Sequence, residues 1–197
     1  KSPPPLSTYG FQKLATEYFA RGAFQQYKLP YTIIRPFNCV GIGEKKSLND
    51  HEIYSGNIKL AMSHVVPDLI QKILKGQNPL RILGNGNQIR HYTYGEDLAE
   101  GIYKSLISEK SINEDFNIST DEQMKVIDLA KLIWGKINPN IEFKVEYEKP
   151  FIHDVQKRIP DTSKALRLLN FKAKTPISES LDIIIPWVKE KVAANEI

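Results

Sequence analysis

Short β-branched or aromatic runs alternate with stretches of helical period along the chain, and this alternation most narrows what its 197 residues can fold into. After the triple proline Pro3 to Pro5, Ser7 or Thr8 can cap a helix running to about Tyr27, with Leu14, Ala15, Tyr18, Phe19, Gly22 and Ala23 as its apolar stripe. The run Tyr31 to Phe37 reads as a buried strand that ends at Pro36, which cannot donate to a ladder. Residues 38–61 lack a steady period and read as a long polar loop. Val65, Val66, Leu69, Ile70, Ile73 and Leu74 make the next helix, stopped by Gly76. Arg81 to Leu83 and Ile89 to Tyr94 flank the turn Gly84-Asn85-Gly86-Asn87 as two short strands. A helix built on Leu98, Ile102 and Leu106 leads to a strand over Phe116 to Ser119 and then a helix on Val126, Leu129, Ala130, Ile133 and Ile137. Phe143, Val145 and Tyr147 alternate with charges as a half-exposed strand. Asp161 or Thr162 caps a short helix ending at Leu169, and Ile177 to Val192 carries the last one. The fold class is α/β, and the length allows one to two domains.

Composition excludes several classes. Twenty-seven basic and 23 acidic residues leave a net charge of +4 with both signs interleaved, so no basic arm for nucleic acid stands out. No run approaches the roughly 18 apolar residues of a membrane span. The single cysteine, Cys39, cannot build a disulfide framework or a thiolate zinc cluster; it suits a reducing, cytoplasmic compartment and is expected to be a small buried residue. His51, His64, His91 and His153 have no metal-ligand spacing and are expected to cap or hydrogen-bond locally; no metal is expected.

Tyr9 and Lys13 lie four apart on the first helix, on one face. An ammonium near a phenol favours the phenolate, the state in which tyrosine accepts a proton. The pair alone carries no specificity: 9 Tyr and 21 Lys in 197 residues give about one such spacing by chance, and the chain has one. On the pair alone, an ordinary solvated lysine beside a helix-start tyrosine is the favoured reading.

Order and context add what the pair lacks. The block Pro5-Leu6-Ser7-Thr8-Tyr9-Gly10-Phe11-Gln12-Lys13-Leu14-Ala15-Thr16-Glu17 resembles the active-site helix of the extended short-chain dehydrogenase/reductase family, the NAD-dependent sugar-nucleotide epimerases and dehydratases. Leu29 to Asn38 is similar to that family's following strand. Val65-Val66-Pro67, the hairpin block Gly84 to Asp97, Phe116-Asn117-Ile118 and Arg158 to Ala165 continue the series in the same order.

The resemblance implies the C-terminal part of a Rossmann-type NAD-binding fold plus a small mixed α/β substrate-binding domain. Residues 1–44 would close the Rossmann-type domain and 45–197 would be mainly the substrate domain, with a strand near 115–119 and its adjacent helix returning to the Rossmann sheet. Tyr9 would be the general base and Lys13 the nicotinamide-ribose ligand, with NAD rather than NADP as cofactor. Pro36 would adjoin the nicotinamide, or simply end the strand. Asn38 would bind substrate near its diphosphate, or merely turn the chain. Arg90 and Arg158, two of six arginines, would clamp the diphosphate through paired N–H donors, the alternative being surface ion pairs. Leu83 would meet the nucleoside base through its backbone. The partner would be a nucleoside-diphosphate sugar, and the intact protein a homodimer.

The chain departs from the pattern at Val40-Gly41-Ile42, where many members have Tyr-Gly-Pro, and at Gln12, where Ser or Thr is common. It also has no Gly-x-x-Gly-x-x-Gly turn for the dinucleotide pyrophosphate. The expectation is therefore a portion of an enzyme, with little NAD affinity and no turnover by itself. The alternative is a non-catalytic module that keeps a sugar-nucleotide cleft for binding or assembly.

Overall fold

The computed structural model describes residues 5, 7–43, 54–55, 58–59, 64–150 and 154–196. In chain order the elements are α1 (Thr8–Tyr27), β1 (Thr32–Pro36), β2 (Cys39–Val40), β3 (Tyr54–Ser55), β4 (Ile58–Lys59), α2 (Val65–Leu74), β5 (Leu80–Leu83), β6 (Ile89–Arg90) and β7 (Thr93–Tyr94). Then follow α3 (Gly95–Ile107), a single 3-10 turn, β8 (Glu114–Ile118), β9 (Met124–Lys125), α4 (Val126–Ile137), β10 (Val145–Glu148), α5 (Ser163–Leu169) and α6 (Ile177–Ala193). The expected helices all form, and α1 has the expected bounds. Ser7 is its N-cap: the hydroxyl accepts from Gly10 N at 3.1 Å, satisfying a donor the helix start leaves orphaned.

The short strands pair across long stretches of sequence. β1 runs parallel to β8, from Thr32 opposite Glu114 to Pro36 opposite Ile118. β5 runs parallel to β10, β2 parallel to β7, and β6 antiparallel to β9. These pairings correct the hairpin expected around Gly84 to Asn87: its arms do not pair with each other. The turn forms, with Gly84 and Gly86 at φ 70° and 73°, where glycine alone is unstrained. Its downstream arm then breaks into β6 and β7, which face different partners. The half-exposed strand begins at Val145, with Phe143 packed ahead of it in the core and Tyr147 exposed.

Two groups of buried apolar side chains hold these elements. The larger joins α2, α4 and α6 through Leu69, Ile70, Leu129, Ile133, Leu181 and Ile184 against β5. The smaller gathers Leu98, Phe116, Ile118, Ala165, Leu169 and Phe171 between α3, β8 and α5. Gly101 on α3 belongs to this second group, because a Cβ there would lie 2.5 Å from Ile118 Cγ2.

By contrast α1 buries no residue. Its apolar stripe stands open, with Phe11, Leu14, Tyr18 and Phe19 exposed. A second apolar groove of about 490 Å³ runs between β1 and α3, lined by Tyr31, Ile34, Ile102, Leu106 and Ile112. Contiguous apolar surface of this kind drives association in water. The 197-residue chain is therefore expected to scatter light as a dimer or larger species at micromolar concentration, and Phe19→Lys is expected to shift it toward the monomer.

Candidate active site

Tyr9 and Lys13 occupy the first two turns of α1. The Lys13 ammonium lies 5.5 Å from the centroid of the Tyr9 ring, and Tyr9 is 69% exposed. Further along, Glu17 anchors the helix to the sheet. Its two carboxylate oxygens accept from Arg35 Nε and Nη2 of β1, both at 2.6 Å, the bidentate fit for which arginine is suited. Arg35 Nη1 also meets Asp115 of β8 at 2.6 Å, and Lys164 of α5 meets Asp115 at 2.8 Å. The Arg35 hydrogen bonds hold the Glu17 carboxyl below its ordinary range, against the cost of burial. Asp115 is held low as well, by Lys164 first and then by Arg35.

Strand β1 carries this anchor toward the next expected residues. Pro36 is its last residue, and Asn38 follows at φ 36°. Left-handed backbone suits asparagine among residues with a side chain. Asn38 Nδ2 donates to His91 O at 2.8 Å, and Thr93 N donates to Asn38 O at 3.1 Å. The turn after β1 is thereby tied to the Arg90 segment.

The segment carrying Arg158 lies alongside β6, which carries Arg90. Ile89 N donates to Gln156 O at 2.8 Å and Arg158 N donates to Ile89 O at 3.3 Å, laying 156–158 alongside the strand. Arg90 Nη2 donates to Asp154 Oδ1 at 3.2 Å. Burial first, and Arg158 second, lower the Arg90 pKa, while Asp154 opposes both. Arg158 itself is exposed. Leu83 joins the same patch, since its carbonyl accepts from Gln88 Nε2 at 3.2 Å. Residues singled out from separate blocks, Asn38, Leu83, Arg90 and Arg158, are thus connected by hydrogen bonds and backbone pairing.

Asp154 and Gln88 were not among the expected residues. Their places in the chain, four before Arg158 and two before Arg90, carry no signal until 154–158 lies alongside β6. Cys39 is exposed, contrary to expectation, because at the first position of the two-residue β2 its side chain turns outward while Val40 turns in. His91 is buried, and its Nδ1 donates to Thr120 O, 29 residues away at 2.9 Å, so its bond is tertiary rather than local. His64 stands at the N-cap position of α2. His51 and His153 lie outside the described residues. Among the described residues no cluster of three His, Cys, Asp or Glu could hold a metal, and no helix is long and apolar enough to cross a membrane.

For NAD the described residues fit one end of the cofactor. The exposed phenol and ammonium of Tyr9 and Lys13 carry the acceptor and donors that a ribose and a hydroxyl would require. The Gly84 to Asn87 turn is no pyrophosphate cradle. A Cβ at Gly84 would lie 2.3 Å from Gln88 Nε2, and one at Gly86 2.9 Å from Ile127 Cβ, so both glycines serve internal packing.

An α/β chain of this architecture, with an open helix bearing a Tyr-Lys pair, has clear relatives. The UDP-glucose 4-epimerase of Thermotoga maritima, solved with UDP-glucose, superposes at a TM-score of 0.80 with 26% identity over 96% of this chain and 56% of that one. The UDP-glucuronic acid 4-epimerase of Bacillus cereus, solved with UDP-glucuronic acid and NAD, also gives 0.80, with 25% identity over 96% of this chain and 55% of that one. Among curated proteins, human dTDP-D-glucose 4,6-dehydratase is 27% identical over 190 residues, 94% of this chain and 49% of its own length. A putative UDP-glucose 4-epimerase of Methanocaldococcus jannaschii is 29% identical over 187 residues, 94% of this chain and 54% of its own length. The chain spans about half the length of these relatives. Residues 1–119 match the family described as the NAD dependent epimerase/dehydratase family, and the chain belongs to it.

Proposed function

We propose that these residues form the C-terminal portion of a NAD-dependent nucleoside-diphosphate-sugar epimerase or dehydratase, cytoplasmic and homodimeric in its intact form. Residues 1–44 belong to the Rossmann-type domain, and 45–197 mainly to the substrate domain, with β8 returning to the Rossmann sheet. What supports this division is the parallel pairing of β1 with β8 across about 80 residues of intervening chain.

NAD, when bound, supplies the hydride acceptor. Tyr9 takes the proton from the sugar hydroxyl being oxidised. Lys13 holds the nicotinamide ribose and places positive charge beside the Tyr9 ring, 5.5 Å away. Pro36 offers a backbone edge without an N–H to the same end of the cofactor. Asn38 reaches the substrate near its diphosphate, Arg90 and Arg158 grip that diphosphate, and the Leu83 backbone meets the base.

The observation that carries the reading is the patch itself. Leu83, Arg90 and Arg158 adjoin through β6 and connect to Asn38, two residues beyond the strand that anchors α1. Assaying the full-length protein with NAD against UDP-, dTDP-, GDP- and CDP-sugars, with products read by NMR, tests it. Turnover of at least one sugar nucleotide is expected, and inertness toward all of them overturns the reading. The 197 residues alone are expected to bind NAD weakly; tight binding in a titration would contradict the assignment of the pyrophosphate site to other residues.

A further inference from the structure

The arginine patch contains a carboxylate that links two parts of it. Asp154 Oδ1 accepts from Arg90 Nη2 at 3.2 Å, and its Oδ2 accepts from Gln88 Nε2 at 2.6 Å. The same Gln88 amide donates to Leu83 O at 3.2 Å. Leu83 O, Gln88, Asp154 and Arg90 therefore form one continuous run. Gln88 is buried, and Gly84 leaves the space that its amide fills.

Both charged members of the run are withdrawn from water, with the Arg90 side chain 15% and the Asp154 side chain 13% exposed. Without Asp154, Arg90 would sit partly buried against the like charge of Arg158, and its relaxed course would be to swing away. Asp154 fixes the guanidinium without saturating it. The described residues engage Nη2 through Asp154 and Nη1 through Ile89 O, two of the five N–H donors of an arginine.

We propose that Asp154 is a positioning residue for nucleotide binding: it holds Arg90 so that the remaining donors face a diphosphate, and through Gln88 it sets that pose relative to the Leu83 carbonyl. The inference rests on the reading above, in which Arg90 and Leu83 contact the nucleotide. It differs from a charge count, because a carboxylate beside an anion site weakens anion binding by Coulomb repulsion alone. The sign of the effect at residue 154 therefore separates the two.

The test is calorimetric titration of the full-length protein with UDP, dTDP, GDP and CDP, carrying forward whichever binds tightest. Arg90→Ala is expected to weaken binding at least tenfold. Asp154→Asn is expected to weaken it about fivefold despite removing a negative charge, Asp154→Glu to recover most of that loss, and Asp154→Asn to add nothing in the Arg90→Ala background. Circular dichroism checks folding, and Asp154→Ser, smaller and neutral, serves in place of Asp154→Asn if that variant fails to fold, with the same loss expected. Unchanged or tighter binding in the neutral variant, or an equal loss with Arg90 already removed, overturns the positioning role of Asp154. No nucleotide bound by the wild type, or wild-type affinity in Arg90→Ala, overturns instead the reading of Arg90 on which the inference rests.

Discussion

Tyr9→Phe in the full-length protein is expected to lower kcat by roughly 10²–10⁴-fold, the span a positioned general base contributes, while nucleotide-sugar affinity stays within about twofold. Phenylalanine removes only the hydroxyl. The ring over which the Lys13 ammonium lies, 5.5 Å from its centroid, is retained. Tyr9 is exposed on α1, so the substitution opens no buried cavity, and the melting temperature is expected to move by no more than about a degree. A kcat loss without a stability or affinity loss is what distinguishes a group acting on the reacting hydroxyl from a structural one. Lys13→Met is expected to lower kcat and also raise the KM for NAD, because in the proposed mechanism a single ammonium serves both the ribose and the base. Turnover near the wild-type rate in Tyr9→Phe would exclude Tyr9 as the base.

Local signals in the sequence located the elements far better than their partners. Helix α1 was legible at both ends because Ser7 supplies a cap and Pro30 blocks continuation, and these are contacts within a few residues. The strands gave no such help. β6 is two residues long and takes one partner from β9 and another from 156–158, and nothing in Ile89-Arg90 announces either. The same limit applies to the site. Arg90 and Arg158 could be singled out by residue type and block, but Asp154 and Gln88 become informative only when the fold brings 154–158 against β6. Exposed Cys39 illustrates the converse: in a two-residue strand the side facing solvent is set by the partner strand, which the sequence does not name.

Arg35 is the residue on which the position of α1 most depends. The helix buries none of its residues, and its stripe of Phe11, Leu14, Tyr18 and Phe19 lies open, so apolar packing does little to fix it. The bidentate Glu17–Arg35 pair, extended to Asp115 and Lys164, joins it to β1, β8 and α5. Arg35→Leu removes the nearest cation shared by the two carboxylates, leaving Arg21 3.4 Å from Glu17 and 4.0 Å from Asp115, and Lys164 on Asp115. Loss of one partner of a fully buried pair costs about 3–5 kcal/mol, and since Arg35 is 36% exposed a loss of roughly 1–3 kcal/mol is expected from chemical denaturation. Lysine cannot reproduce the paired geometry, so Arg35→Lys is expected to recover only part of it. Acid should act on the same network. Glu17 and Asp115 both have folded-state pKa values below their ordinary 4.5 and 3.8, so the stability they confer is present above those values and is lost as pH falls through the lowered ones. The wild type is therefore expected to lose stability more steeply below pH 4 than Arg35→Leu, in which Glu17 keeps only Arg21 and Asp115 mainly Lys164 and so gain less from ionisation. Because Leu83, Arg90 and Arg158 lie on other segments and Asn38 is held by His91 O and Thr93 N, Arg35→Leu is also expected to lower kcat while leaving nucleotide affinity within about twofold. Equal losses in kcat and nucleotide affinity would mean that Arg35 supports the whole fold rather than the placement of the helix that carries Tyr9 and Lys13.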